Sequence, residues 1–452
     1  MLISINPANG KKIAEYKPFS DKEINHALYM SEIAFELWSQ SDIEHRKKLM
    51  HNLAKVLSKN KNKYAKLITE EMGKPFAQSV AEVEKCAKTA ELYANNIKEL
   101  IQSEIIKTEN KESYVEFEPL GAILAVMPWN YPFWQVFRFA IPNLLLGNVC
   151  LLKHASNVQG SAILIEKIFE EAGFPKGVFI NLRIGSEYVE KIIRDERVKA
   201  VTLTGSEIAG SKVASVAGSQ IKKTVLELGG SDPFIVLSDV DLHPVCKSAV
   251  NARLRNSGQA CTSAKRFIVM KDIAEEFIQN YVNYFKSLKV GNPMDDVDVG
   301  PLISKQALEE IQIQVSKSIE MGAKLEIGGK ILNQDGFYFE PTILSDVKKG
   351  MPAYDEEIFG PVSSVIIAES EDDLIRIAND TKFGLASSIW TKDIEKAKLI
   401  AKKIQAGSVF INTVPTSDPR MPFGGIKKSG YGRELSKYGL REFVNIKTIV
   451  IN

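Results

Sequence analysis

The sequence is poor in cysteine and histidine, and this scarcity limits the chemistry that it can support. None of its four cysteines forms a Cys-x-x-Cys pair, and their spacing suits neither a zinc site nor a disulfide framework. The five histidines show no ligand spacing either, so we expect no metal. The N-terminus lacks a basic region followed by an apolar segment, and no run approaches the roughly 18 apolar residues of a membrane span. These absences predict a reduced, cytoplasmic protein.

An excess of charge of either sign is also missing. The chain has 58 basic and 56 acidic residues, which leaves a net charge of +2. This balance gives no reason to expect nucleic acid or a membrane as a partner. Apolar residues make up 44% of the 452 positions and charged residues 25%, values ordinary for a soluble globular enzyme of two or three domains.

Apolar strands alternate with helices over most of the chain after a helical N-terminal region at 21–100. Between 121 and 230 the pattern predicts strands at 121–127, 149–152, 178–182, 199–204 and 223–228, with helices at 133–146, 160–172, 186–194 and 206–218. A second series follows to about 412, with strands near 234–237, 266–270 and 362–367 and helices near 243–254, 273–287 and 305–320. This alternation predicts parallel sheets covered by helices, a fold that binds nucleotides at strand ends.

Two half-exposed strands interrupt that pattern, at 111–118 and 443–451. Long bare strand edges invite aggregation, so each strand needs a partner. We expect a neighbouring subunit to supply it, and hence a homodimer or homotetramer.

One cysteine, Cys261, lies among small residues in a turn before the apolar run 266–270. Gly258 and Ala260 leave room for a ligand to approach the sulfur. A scaffold presents a nucleophile in this kind of position. A buried cysteine that acts only as a small hydrophobic residue is the alternative.

Two polar residues could assist such a nucleophile. Glu227 lies inside an apolar run, where burial would raise its pKa and make it a general base. Asn130 follows Met127, Pro128 and Trp129 in a rigid loop, and its amide could stabilise an oxyanion. An exposed glutamate at a strand end and a simple turn asparagine are the alternatives.

Residues at the ends of two strands suggest a dinucleotide-binding site. Gly205 and Ser206 lie between a strand and a helix, where backbone amides suit a pyrophosphate. Lys153 ends a buried strand and is placed for a ribose or phosphate. No acidic residue stands at Ser156 to repel a 2′-phosphate, so NADP is permitted. A structural glycine turn and a surface lysine are the alternatives.

Five motifs in this order resemble the aldehyde dehydrogenase superfamily over essentially the whole chain: Pro128–Asn130, Glu227–Gly230, Gly258–Cys261, Glu357–Pro361 and Pro422–Gly425. The resemblance implies two Rossmann-like parallel α/β domains plus a β-strand oligomerisation arm. The implied division is a dinucleotide-binding domain (1–100 and 120–229), a catalytic domain (230–428) and oligomerisation strands (101–119 and 429–452).

The same resemblance implies a role for each site residue. Cys261 would be the nucleophile, Glu227 the base that activates it or the deacylating water, and Asn130 with the Cys261 backbone amide the oxyanion hole. The residues expected to bind NADP or NAD are Met127, Pro128, Trp129, Lys153, Ser156, Gly205, Ser206, Gly210, Leu228, Glu357 and Phe359.

The substrate is expected to be a small aldehyde with a distal carboxylate. The region around Arg138 resembles the succinate semialdehyde dehydrogenase branch, and a guanidinium can grip a carboxylate bidentately. Arg138 could instead form a salt bridge at a domain seam. Lactaldehyde or glutarate semialdehyde, a Coenzyme A-acylating enzyme and a non-catalytic binding protein are the alternatives. The residues expected to contact the substrate are Arg138, Trp134, Thr262, Ser417 and Arg420.

Overall fold

The computed structural model describes all residues, 1–452, and contains eighteen strands and fifteen α-helices. The strands are β1 (Leu2–Ile5), β2 (Lys12–Tyr16), β3 (Glu104–Ile105), β4 (Glu112–Pro119), β5 (Ala122–Met127), β6 (Val149–His154), β7 (Phe179–Asn181), β8 (Val198–Thr204), β9 (Lys223–Glu227), β10 (Pro233–Val236), β11 (Arg266–Met270), β12 (Lys324–Ile327), β13 (Thr342–Ser345), β14 (Val362–Ala368), β15 (Ala386–Trp390), β16 (Ser408–Ile411), β17 (Gly430–Tyr431) and β18 (Val444–Ile451).

The helices cover both faces of the sheets and form an N-terminal layer. They are α1 (Asp21–Trp38), α2 (Ile43–Lys59), α3 (Lys61–Met72), α4 (Phe76–Leu100), α5 (Trp134–Leu146), α6 (Gln159–Glu171), α7 (Val189–Arg194), α8 (Glu207–Ser219), α9 (Leu242–Leu254), α10 (Lys271–Lys286), α11 (Lys305–Glu320), α12 (Pro352–Asp355), α13 (Glu371–Asn379), α14 (Ile394–Ala401) and α15 (Ser436–Leu440).

A six-stranded sheet carries the first half of the chain, in the order β17-β9-β8-β5-β6-β7. Strands β5 to β9 run parallel, and only β17 is antiparallel. Because helices cover both faces, strands such as β6 are buried at every residue and contain continuous apolar runs. The carboxyl ends of β5, β6, β8 and β9 therefore bring Asn130, Lys153, Gly205 and Glu227 to one edge of the sheet.

A seven-stranded sheet carries the second half, in the order β12-β13-β14-β11-β10-β15-β16. All of its neighbouring strands are parallel except the pair β12–β13. The two predicted parallel α/β layers are thus confirmed. The bounds of β11 are those predicted from the apolar run 266–270.

The two half-exposed strands pair with each other within the chain, so their first partner does not come from a neighbouring subunit. β18 lies antiparallel to β4 over eight residue pairs, from Val444 opposite Pro119 to Ile451 opposite Glu112. The short strand β3 covers part of the other edge of β4. β18 keeps one unpaired edge in this three-stranded sheet.

Helix α4 fixes the start of helix α5, which borders the site. The carboxylate of Glu82 on α4 accepts hydrogen bonds from the backbone amides of Phe133 and Trp134 (both 2.9 Å). These amides lie at the N-terminus of α5, where no intrahelical acceptor exists. The buried ammonium of Lys74 neutralises Glu82 and lies 3.6 Å from the ring centre of Tyr131.

None of the helices is both long enough and apolar enough to cross a lipid bilayer.

Candidate active site

The backbone before Cys261 adopts a left-handed conformation that few sequences tolerate. After α9 ends, Asn256, Ser257 and Gly258 have φ angles of 52°, 54° and 79°. Position 258 requires glycine for two reasons. Its φ is positive, and a Cβ atom there would collide with the carbonyl oxygen of Gly360. Strained segments of this kind persist only where the surroundings hold them, and they cluster at functional sites.

Hydrogen bonds hold this segment in place. The side-chain amide of Asn256 donates to the carbonyl oxygens of Asn130 (2.9 Å) and Gln259 (3.1 Å). The Ser257 hydroxyl donates to the carbonyl oxygen of Gly300 (3.0 Å) and accepts from the amide of the same residue (2.9 Å). The loop that carries Cys261 is therefore fixed to the loop that carries Asn130.

Cys261 is half-buried and lies where two cavities meet, because it lines both. Burial raises the pKa of its thiol to about 12, while the positive charges of Lys265 and Arg138 act in the opposite direction. The thiol is therefore protonated at neutral pH and needs a base to become a nucleophile.

Asn130 lies beside this cysteine. Its side-chain nitrogen donates one hydrogen bond to the carbonyl oxygen of Gln259 (3.1 Å), two residues before Cys261. An amide nitrogen carries two N–H groups, so the second is available to another acceptor. Asn130 also lines the cavity that contains Cys261. This placement suits an oxyanion donor.

Glu227 ends β9 and is buried, with no hydrogen-bond partner for either carboxylate oxygen. Burial raises the pKa of Glu227 well above its ordinary value, and the nearby carboxylate of Glu434 raises it further, against the opposing charge of Arg138. A carboxylate of raised pKa is a stronger proton acceptor, which suits a general base. Glu227 is close enough to act electrostatically on the thiol of Cys261.

The first cavity, of about 230 Å³, collects most of the predicted cofactor residues. Those that line it, together with Asn130 and Cys261, are Pro128, Trp129, Gly205, Ser206, Leu228, Glu357 and Phe359. Met127, Lys153, Ser156 and Gly210 lie outside its lining, at the ends of β5 and β6 and inside α8.

The groups in and beside this cavity fit a dinucleotide. The Thr204 hydroxyl is buried without a partner, and the first-turn amides of α8 lie beside Gly205 and Ser206. Lys153 is buried, burial lowers its pKa, and it forms no ion pair. A helix N-terminus and an unpaired lysine offer the donors that a pyrophosphate and a ribose need.

The second cavity, of about 260 Å³, reaches Cys261 from another direction. Four of the predicted substrate residues line it, namely Trp134, Arg138, Thr262 and Ser417. Arg420 does not. It is exposed and forms an ion pair with Asp418 (2.6 Å), so its predicted role in binding the substrate carboxylate is withdrawn.

Arg138 lines the second cavity, but its charge is already balanced. Its guanidinium forms an ion pair with the buried carboxylate of Glu434 and donates to the side chain of Gln135 (2.7 Å). The salt bridge that was the structural alternative for this arginine is therefore present. A cation paired in this way attracts a second carboxylate less strongly than a free one does.

Two cations without ion pairs line the same cavity, and neither was predicted from the sequence. Lys85 of α4 donates to the Ser417 hydroxyl (2.6 Å), and burial together with Arg138 lowers its pKa to about 8. Arg255 donates to the carbonyl oxygen of Pro415 (2.7 Å), and its Nε has no partner. Of the two, only Arg255 has a feature in the sequence that could have indicated a role in the site, because it immediately precedes the stretch around Cys261.

The sequence model of the aldehyde dehydrogenase family matches residues 2–449, and the chain belongs to this family. It is 47% identical over 451 residues to the probable succinate-semialdehyde dehydrogenase [NADP(+)] of Synechocystis sp., covering 100% of this chain and 99% of that protein. It is 45% identical to succinate-semialdehyde dehydrogenase [NADP(+)] 1 of Mycobacterium tuberculosis, with the same coverage.

A solved structure agrees with these relatives. The crystal structure of succinic semialdehyde dehydrogenase from Streptococcus pyogenes in complex with NADP⁺ matches with a TM-score of 0.98 and 39% identity, covering 100% of both chains.

Proposed function

We propose that this protein oxidises succinate semialdehyde to succinate with NADP⁺. The observation that carries the proposal is the pair of unpaired cations, Lys85 and Arg255, in the cavity that leads to Cys261. A small aldehyde whose far end carries a carboxylate would place that carboxylate against them. The names of the relatives from Synechocystis, Mycobacterium tuberculosis and Streptococcus pyogenes support the same substrate and cofactor.

The residues of the site would act in two stages. Glu227 accepts the thiol proton, and the sulfur of Cys261 bonds to the aldehyde carbon. Asn130 and the backbone amide of Cys261 donate to the oxyanion that forms. When bound, NADP⁺ supplies the hydride acceptor, and a thioester remains on the sulfur.

Glu227 then releases the thiol proton to solvent, which restores its carboxylate. In the second stage this carboxylate takes a proton from water, and the hydroxide attacks the thioester carbon. The carbon–sulfur bond then breaks, which releases the carboxylic acid and restores the cysteine. Glu227 serves both stages in this scheme, so its presence also argues against an enzyme that transfers the acyl group to Coenzyme A.

Glutarate semialdehyde is the second candidate substrate, because it carries the same carboxylate one methylene further from the aldehyde. A single methylene changes selectivity by only about 10- to 200-fold. Lactaldehyde has no charge for Lys85 and Arg255 to bind and is disfavoured. A non-catalytic protein would not need a nucleophile, a base and an amide donor around two connected cavities.

Replacing Lys85 or Arg255 with methionine should lower kcat/KM for succinate semialdehyde about 10- to 100-fold, the size expected for a lost charged hydrogen bond. For butanal, which has four carbons and no charge, each variant should stay within about threefold of the wild type, on the same reasoning that no charged contact is lost. Steady-state rates on both aldehydes give the comparison.

Arg420→Met is the matched control, because it removes a cation outside the cavity and should change neither rate. Equal losses on the two aldehydes would contradict the proposed carboxylate site. Since the pKa of Lys85 is lowered to about 8, KM for succinate semialdehyde in the wild type should rise above that pH as the ammonium loses its proton.

The choice of NADP over NAD depends on the end of β6. Ser156 follows this strand and carries no charge, and the buried Lys153 is available to an anionic group. The Ser156→Glu variant should lower kcat/KM with NADP⁺ about 10- to 100-fold relative to NAD⁺, because a carboxylate would repel the 2′-phosphate. Ser156→Ala is the control and should keep the wild-type preference. An unchanged ratio in Ser156→Glu would contradict this assignment.

We further propose a cytoplasmic homodimer or homotetramer. The unpaired edge of β18 and its exposed side chains, Ile446, Val450 and Ile451, support this assembly.

A further inference from the structure

A buried lysine lies directly behind the nucleophile. Lys265 is four residues after Cys261, immediately before β11, and is 2% exposed. Its ammonium donates to the carbonyl oxygens of Cys261 (2.6 Å) and Ala260 (2.9 Å) and lies 3.3 Å from Oε1 of Glu357. The ammonium therefore donates two hydrogen bonds to the backbone and forms an ion pair with Glu357.

Glu357 connects this lysine to the cofactor cavity. Its Oε1 also accepts from the amide of Gly230 (3.0 Å), whereas Oε2 has no hydrogen-bond partner. A Cβ atom at Gly229 would collide with the Glu357 carboxylate, so a side chain there would force this carboxylate to move. One carboxylate oxygen is therefore held by the protein, and the other is left for a ligand in the cavity that Glu357 lines with Cys261.

We propose that Lys265 is a positioning residue that couples the cofactor-binding carboxylate of Glu357 to the backbone of the nucleophile Cys261. The coupling rests on the proposed function, in which Glu357 binds a cofactor ribose. One cation holds both groups, so a movement of either changes the hydrogen bonds of the other.

The electrostatics agree with this role. The charged groups around the Cys261 thiol are Lys265 and Arg138, which lower its pKa, and Glu357 and Glu227, which raise it. Lys265 has the largest effect of the four. The ammonium also acts on buried Asp232, whose pKa burial raises to about 7. Loss of the Lys265 charge should therefore leave the thiol less acidic, even without a cofactor.

The first test is alkylation of cofactor-free enzyme with iodoacetamide across a range of pH, with Cys261→Ala as the background for the other cysteines. In Lys265→Met the alkylation rate at pH 8 should fall about tenfold, equivalent to a rise of one in the pKa of the thiol. Lys265→Arg should restore most of this rate, because it keeps the charge. Lys271→Met removes an exposed lysine at the other end of β11 and should leave the profile unchanged.

The second test is the affinity for NADP⁺, measured by quenching of tryptophan fluorescence, since Trp129 lines the cofactor cavity. Lys265→Met and Glu357→Gln should each weaken binding about tenfold, and the double variant should be little weaker than either, because coupled residues are not additive. If Lys265→Met does not fold, Lys265→Gln carries the same comparison, since it keeps two N–H donors without the charge.

An unchanged alkylation profile, or additive losses in the double variant, would overturn the proposal. Full NADP⁺ affinity in Glu357→Gln alone would overturn the coupling through Glu357. None of these outcomes bears on which aldehyde the wild-type enzyme oxidises, because neither test uses a substrate.

Discussion

Replacing Cys261 with alanine should abolish NADPH formation, with a loss of kcat on the order of 10⁴-fold or more, as expected when a covalent nucleophile is removed. No other cysteine lines either of the two cavities that meet at this sulfur. Stopped-flow absorbance of NADPH would show neither a burst nor a steady state.

Two controls make this result specific. The dissociation constant for NADP⁺, read from tryptophan fluorescence, should be unchanged, because alanine leaves the cofactor cavity open. Cys246→Ala removes a buried cysteine from α9, packed in the core beside the second sheet, and should retain activity. Turnover by the Cys261→Ala variant above about one-hundredth of the wild-type rate would refute the nucleophile, since removing a nucleophile costs far more than this.

Glu227→Gln should lower kcat about 10²- to 10⁴-fold, the usual contribution of a positioned general base. The wild-type pH profile should show why. Burial raises the pKa of Glu227 well above its ordinary value, so the carboxyl group is protonated and inactive as a base at low pH. The rate should therefore increase as pH rises through that raised pKa, and this limb should vanish in the glutamine variant.

Rapid-mixing kinetics separate the two proposed roles of Glu227. If the Glu227→Gln variant keeps the burst of NADPH and then turns over slowly, Glu227 acts only in hydrolysis of the thioester. If the burst itself is slower, Glu227 also activates Cys261. Glu166→Gln is the control, because Glu166 is half-buried, also has a pKa raised by burial, and lies away from Cys261. A pH limb that survives in Glu227→Gln would rule out this residue as the base.

The regular layers could be predicted because they depend on local patterns. Apolar runs such as 266–270 and the glycine turns between strands mark each element where it occurs in the chain. The pairing of β4 with β18 could not be predicted in this way, because their register joins segments more than 300 residues apart. The alternation within each strand shows that a partner is needed but not which strand provides it.

The same limit applies to the site. Cys261, Glu227 and Asn130 stand in unusual local settings, and their motifs resemble a known family. Lys85 lies on a long amphipathic helix whose pattern indicates only packing, and Arg138 is paired with a glutamate nearly 300 residues further along the chain. Charge pairing and cavity lining are properties of the folded molecule, so no local pattern carries them.

The distance along the chain between β4 and β18 has a consequence for biosynthesis. At about 5 to 20 residues per second, roughly 20 to 60 s pass between the synthesis of residues 112–119 and that of residues 444–451. Until then β4 emerges from the ribosome with only the two-residue strand β3 as a neighbour, and Arg138 has not yet met Glu434. The first half of the nascent polypeptide therefore cannot complete these contacts until the last segment has been synthesised.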